Sequence, residues 1–235
     1  MIKALSRTSV DLKTTEVISS LLQILNTKKA RYNDKVETLE KEYARLIGVK
    51  EAVAFPYSRT GTYYALMALE LQEGDEVIMP AFTFWVDAAM VVMAGLKPVF
   101  VDVNFETQSI DTALIENAIT PRTKVIYPTH LNGLPADMDQ IMRIAEKHDL
   151  RVMEDCARSC GATYKDKRIG SFDIGSFSFG YGKSFYGFGG AMVTSDNTAF
   201  IKKLRDLKKD FKHISLKNLC IQTLKGSLLK YLNIS

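Results

Sequence analysis

EVIMPAFTFWVDAAMVVMAGLKPVFVDV, residues 76–103, holds two apolar runs with a helix-patterned segment between them. EVIMP (76–80) and KPVFVDV (97–103) are short and rich in β-branched residues, which reads as buried strand. WVDAAMVVMAG (85–95) has helical spacing, and Gly95 suits its C-terminal cap. Two strands joined by a helical crossover run parallel. The pattern recurs downstream. KVIYPTH (124–130) and RVMEDCA (151–157) read as strands, and DTALIENAI (111–119) and DMDQIMRIAEKHD (137–149) as helices. GSFSFG (175–180) and GGAMVTSD (189–196) add two further strands. This alternation predicts an α/β fold with a mostly parallel central sheet flanked by helices. The near-continuous Val/Ile content predicts strands covered on both faces.

Upstream, residues 11–28 and 35–47 read as helices. In SRTGTYYALMALELQEGDEV (58–77), Thr60-Gly61-Thr62 is expected to open an amphipathic helix that Gly74-Asp75 closes. A helix start with hydroxyls and glycine is either an anion site or a plain N-cap, and the residues alone leave both open. The expected organisation is an N-terminal helical segment (1–34), a large domain (35–205) and a basic tail (206–235). In that tail Leu216, Leu219, Leu224, Leu228 and Leu232 fall on one helical stripe, with Lys217, Lys225 and Lys230 largely off it. Such a helix either packs on a further domain or subunit, the favoured reading, or lies on a membrane surface.

The chain has 235 residues, 46% hydrophobic and 25% charged, a globular balance that excludes the disordered and fibrous classes. Net charge is +4, but residues 200–235 carry nine Lys/Arg against two Asp, leaving the rest at −3. The main body is therefore not a nucleic-acid surface. Three cysteines, Cys156, Cys160 and Cys220, are too few and too unevenly spaced for a disulfide framework. Cys156 and Cys160 lack the partners of a zinc site, so no metal is expected. No run has the length of a signal-peptide core or a membrane span, and the expected location is the cytoplasm.

FSFGYGKSFYGFGG (177–190) sets one lysine, Lys183, among glycines and aromatic rings. Gly182-Lys183-Ser184 suggests a phosphate loop, but that motif needs glycine at position 177, where Phe177 stands. Ligands of open α/β sheets bind outside the carboxyl ends of the strands. Three features fall at such places: the Thr60–Thr62 turn, Asp155 at the end of RVMED, and Ser178 with Lys183 at and after GSFSFG. Hydroxyls and amides for a phosphate, a carboxylate for a ring nitrogen and a primary amine for an aldehyde are what pyridoxal 5'-phosphate requires.

With those motifs in order, together with PTHLNGLPADMDQI, VMEDCARSCGA and the Gly-Gly after Lys183, the chain resembles the DegT/DnrJ/EryC1/StrS sugar aminotransferases from about residue 35 to about residue 205. The resemblance implies an aspartate-aminotransferase-like (fold type I) large domain, with the small C-terminal domain of such enzymes largely missing. It implies pyridoxal phosphate as cofactor and Lys183 as the Schiff-base lysine. Asp155 matches the carboxylate on the pyridinium nitrogen. Thr60, Gly61, Thr62 and Ser178 match the phosphate site. Phe84 matches the ring-stacking aromatic, with Trp85 its rival, and Ala157 lies against the other ring face. Arg158 stands where the family usually has Gln or His for the cofactor's phenolic oxygen, and Asn132 where an aromatic is common.

The implied reaction moves an amino group from an amino acid, by family analogy L-glutamate, to a nucleotide-linked keto sugar for surface polysaccharide or glycoside biosynthesis. The implied assembly is a homodimer. Two alternatives stand beside it. One is a truncated, non-catalytic relative that keeps the fold. The other is deoxysugar dehydration, whose relatives replace the lysine that Lys183 matches.

Overall fold

A computed structural model of the protein describes residues 33–209, except Tyr186 and Phe188, together with the single positions Thr15 and Ile221. The expected helix over 11–28, apart from Thr15, and the leucine-striped part of the tail lie outside the described residues. In chain order the elements are α1 (Asn33–Ile47), β1 (Glu51–Phe55), α2 (Ser58–Ala68), β2 (Glu76–Pro80), α3 (Trp85–Met93), β3 (Lys97–Val101), α4 (Thr112–Ile115), β4 (Thr123–Ile126), α5 (Met138–Lys147), β5 (Arg151–Asp155), β6 (Thr163–Tyr164), β7 (Lys167–Arg168), β8 (Ile174–Ser178), β9 (Ala191–Ser195) and α6 (Thr198–Lys208).

Seven strands make one sheet in the order β1-β9-β8-β5-β4-β2-β3, and β6 pairs with β7 as a separate small hairpin. β3, β2, β4, β5 and β8 are mutually parallel. β9 runs antiparallel to both β8 and β1, so β1 points the same way as the parallel strands. The α/β class and the mostly parallel sheet are thus as the alternating pattern requires.

Strand periodicity sorts the core into two faces. Val53, Val77, Met79, Val125, Met153 and Val193 point to one face and pack with Leu66 of α2, Val91 of α3, and Ile201 and Leu204 of α6. Ile78, Ile126 and Val152 point the other way, onto Ile115 of α4 and Met138, Ile141 and Ile144 of α5. Tyr43 and Ile47 of α1 join Ala52, Phe177 and Met192 in a further cluster. Each such aliphatic side chain, taken fully out of water, contributes about 1.5–3 kcal/mol. The helix starts are marked by side chains: Asp137 accepts from the Gln140 amide and Asn197 from the Phe200 amide, caps worth about 1 kcal/mol each. Glu40 of α1 takes the Ala54 amide and an Arg205 Nη1 contact of 2.6 Å, tying α1, β1 and α6 together.

Three expectations are corrected. The helix expected to open at Thr60 opens at Ser58, because Tyr57, extended at φ −147 and ψ 149, already takes the Thr60 and Gly61 amides on its carbonyl. That helix ends at Ala68 rather than at Gly74. β3 is not covered on both faces: it is one of the two edge strands, and Phe100 is 54% exposed. Among the described residues no helix is long and apolar enough to cross a membrane.

Candidate active site

The carboxyl ends of β1, β2, β4, β5 and β8 lie along one edge of the sheet, and every candidate residue leaves from that edge. Asp155 is the last residue of β5 and shares strand parity with Met153, so it faces the side covered by α2 and α3. It is buried, and its Oδ1 accepts the Ala157 amide at 2.9 Å. Burial raises its carboxyl above the ordinary range, opposed by the Ala157 amide and by Lys183.

β8 ends at Ser178, and the chain loops out before returning as β9. Phe179 closes the loop: its amide donates to Gly190 O, and its carbonyl accepts the Gly187 and Gly189 amides. Lys183 sits inside this loop, half-buried, with its amide on Gly180 O. Its Nζ stands 5.7 Å from the Phe84 ring centroid. Removal from water lowers the Lys183 ammonium below the ordinary lysine value; Asp155 and Asp87 oppose this and Arg158 adds to it. A larger fraction of neutral amine at a given pH is what a nucleophilic lysine needs. The structure therefore brings Lys183, Asp155, Phe84 and Arg158 to one place. Ala157 is buried beside Asp155, while Trp85, tilted against Phe84 at 6.1 Å, is 73% exposed.

The turn after β1 is built differently from its sequence reading. The Thr60 and Gly61 amides are spent inside the helix, so the first amides of α2, at Ser58 and Arg59, are those a helix start leaves for an anion. A Cβ on Gly61 would meet Val193 Cγ2 at 3.0 Å and the Phe55 ring at 3.4 Å, so glycine lets α2 pack close on β1 and β9. Thr62 is fully buried and its hydroxyl joins a chain inside the protein. Tyr127 OH donates to Asp87 Oδ1 at 3.3 Å. With that proton committed, Thr62 donates to Tyr127 at 3.2 Å, Ser176 to Thr62 at 3.2 Å, and Ser58 to Ser176 at 3.4 Å. The chain runs from the start of α2 to a carboxyl under Asp155. Ser178, nearly buried, accepts the Gly180 amide at 3.5 Å.

Asp87, Tyr127, Ser176 and Ser58 are the site residues that the sequence reading missed. The available signal was Asp87 itself, a lone acid in the apolar stretch WVDAAMVVM. His130, Glu154 and Cys156 also bring ligand-type atoms within 4.8 Å of one another. Their groups are already used. His130 Nδ1 accepts the Ala136 amide, so Nε2 carries the proton and donates to Glu154. Glu154 further accepts the Gly170 and Phe172 amides. Burial pushes the Cys156 thiol up, away from the thiolate that binds metals.

The donor set fits pyridoxal phosphate: an amine of lowered basicity, a buried carboxylate at a strand end, an aromatic ring beside the amine, and hydroxyls at a helix start. A model of the DegT/DnrJ/EryC1/StrS aminotransferase family matches residues 11–218. The chain is 45% identical over 196 residues to a UDP-N-acetyl-3-dehydro-alpha-D-glucosamine 3-aminotransferase of Acidithiobacillus ferrooxidans, covering 82% of this chain and 53% of that protein. The aminotransferase of Psychrobacter cryohalolentis superimposes with a TM-score of 0.80 at 30% identity, over 96% of this chain and 64% of that one. DesV of S. venezuelae, solved with a ketimine intermediate, does so with a TM-score of 0.79 at 29% identity, over 91% and 62%. The chain thus spans about half the length of the curated relative that it matches.

Proposed function

The chain belongs to the DegT/DnrJ/EryC1/StrS aminotransferase family, and on that premise we propose that it serves a pyridoxal-phosphate-dependent transfer of an amino group from an amino acid to a nucleotide-linked keto sugar. The observation that carries the reading is the meeting of a half-buried lysine of lowered basicity with a buried strand-end carboxylate at the carboxyl edge of the sheet. When bound, the cofactor supplies an aldehyde for a primary amine and a ring that accepts electrons.

In this reading Lys183 would supply the primary amine for the cofactor's aldehyde and would carry the α-proton as base and then acid. Asp155 holds the proton on the ring nitrogen. Phe84 would stack on one ring face, and Ala157 is small enough to allow approach at the other. The free Ser58 and Arg59 amides at the start of α2, with the Thr60 and Ser178 hydroxyls, would hold the phosphate, while Gly61 lets α2 pack close and Thr62 supports the turn from below through Ser176. Arg158 contributes positive charge near the phenolic oxygen.

A UDP-linked 3-keto sugar as acceptor follows the similarity to the Acidithiobacillus protein, and L-glutamate as donor follows the family analogy. A homodimer in the cytoplasm belongs to the same reading; the exposed Phe84 and Trp85 beside the site support a partner there. The test is borohydride reduction of the protein with pyridoxal phosphate, followed by peptide mapping. The label is expected on Lys183, and a label on another lysine overturns the assignment.

A further inference from the structure

Asp87 is a second carboxyl beneath the site. It lies in the first turn of α3, is 6% exposed, and receives the Tyr127 hydroxyl. The ionisable groups acting on it come from three elements: Asp155 at the end of β5, Tyr127 after β4, and Lys183 in the loop after β8. The groups farther along the Tyr127 chain, from α2 and β8, are non-ionising hydroxyls.

Two buried carboxyls sharing one cation do not both ionise readily. Asp155 has the better claim to the charge, because it holds a backbone amide and faces both Lys183 and Arg158. Asp87 has one phenol as donor. Its helix N-terminus favours an anion only weakly and only within the first turn, whereas burial away from water disfavours the charged carboxyl strongly. Burial wins, and Asp155 pushes the same way. The Tyr127 phenol is itself held far from ionisation by burial and stays a donor.

We propose that Asp87 is a positioning residue for Asp155: a neutral carboxylic acid that ends the Ser58–Ser176–Thr62–Tyr127 hydroxyl chain and leaves the single negative charge of the pair on Asp155. The proposal rests on the reading above only for what Asp155 faces. It gives the pair a division of labour in which one acid anchors polar hydrogen bonds in the interior and the other meets a cationic ring nitrogen.

Infrared spectroscopy of the cofactor-free chain tests the protonation state directly. The carbonyl stretch of a buried carboxylic acid is expected at neutral pH, sensitive to deuterium exchange and lost in Asp87→Asn. No such band in the wild type, or a band that survives in the variant, overturns the proposal. Should Asp87→Asn not fold, Tyr127→Phe, which strips the hydroxyl from Asp87, is expected to move the same band, and an unmoved band counts against it.

The pH midpoint of pyridoxal phosphate binding gives a second readout. Asp87→Asn, neutral for neutral, is expected to leave it in place. Asp87→Leu removes a dipole beside Asp155 and is expected to raise the midpoint and weaken binding about 10-fold or more. A midpoint that falls in Asp87→Asn would mean that a negative charge had been removed, and Asp87 would be an anion. Borohydride labelling away from Lys183 would sink the functional reading while the infrared band still judged Asp87.

Discussion

His130 Nε2 donates to Glu154 Oε2 across 3.0 Å, with both side chains wholly out of solvent. Glu154 is the neighbour of Asp155 in β5 and points to the opposite face of the sheet. It gathers the segment after β4 and the turn before β8 by accepting from His130 and from the Gly170 and Phe172 amides. Replacing it with glutamine would turn one acceptor oxygen into a donor amide. His130 cannot adapt, since the Ala136 amide pins Nδ1 as the acceptor. Glu154→Gln should therefore destabilise the fold by about 1–3 kcal/mol, read as a lower urea midpoint; an unchanged midpoint would show that the site tolerates a buried donor clash.

Lys183 should capture carbonyl compounds at lower pH than an exposed lysine. Its ammonium is lowered chiefly by burial, so the neutral amine accumulates below the ordinary lysine range. The capture rate of pyridoxal phosphate should rise with pH and level off before that of a lysine peptide. A plateau coinciding with the peptide's would contradict this. Lys183→Ala should abolish the borohydride-stable adduct.

With Asp155 in its proposed role, Asp155→Asn should reduce turnover more than cofactor affinity, because the phosphate contacts would stay while the charge opposite the ring nitrogen goes. Kinetics separate the two as a fall in kcat with a smaller change in the pyridoxal phosphate Kd. Near-normal turnover would remove Asp155 from its role.

Asp87 makes stability depend on pH in a definite direction. Its folded carboxyl is raised above the ordinary aspartate value, so the folded state binds more protons than the unfolded chain between those two values. Stability from this group is full below the unfolded value and declines as pH rises through the window. Asp87→Asn should thus gain on the wild type in melting temperature from mildly acid toward neutral pH, and the difference should shrink in acid. A pH-independent difference would mean that folding leaves the Asp87 carboxyl where it stands in the unfolded chain.

Gly175 in β8 is held by close approach. A Cβ there would meet Gly170 Cα at 2.5 Å, Gly170 O at 2.6 Å and Thr194 Oγ1 at 2.4 Å. Thr194 also donates to that carbonyl at 2.6 Å, so the backbone has little room to move. Gly175→Ala should cost about 1–3 kcal/mol by overpacking. It should also weaken cofactor binding by displacing β8 and the loop that carries Lys183. Calorimetry showing no loss would mean that the strand shifts freely.

The parallel strands were legible because each is a compact β-branched run: EVIMP coincides with β2, and RVMED with β5. β1, EAVAF, was missed because two of its five residues are alanine and its partner β9 lies far along the chain. β3 misled because an edge strand can carry the same composition as an interior one, and only pairing tells them apart. At the site, Lys183 and Asp155 stood out through glycine context and strand-end position. Asp87 and Tyr127 did not, since each is a single polar residue in an apolar run and their contact spans 40 positions. The start of α2 was misplaced by two residues because Thr-Gly-Thr looks like a cap, while the observed N-cap, Tyr57, uses no side-chain hydrogen bond.

β9 joins β1 to β8, so the first strand of the sheet finds its place only through the last. During synthesis β1, beginning at Glu51, waits for β9, beginning at Ala191, an interval on the order of ten seconds at typical elongation rates. Long-range closure of this kind slows folding, and until it happens α2 lacks the β1 and β9 part of the face on which Leu66 packs. The loop that holds Lys183 is the connection between β8 and β9, so it takes shape in the same late event. With Lys183 in its proposed role, a newborn chain acquires its reactive amine only when the whole sheet has assembled, and the appearance of a borohydride-trappable adduct can serve as a clock for the completion of folding.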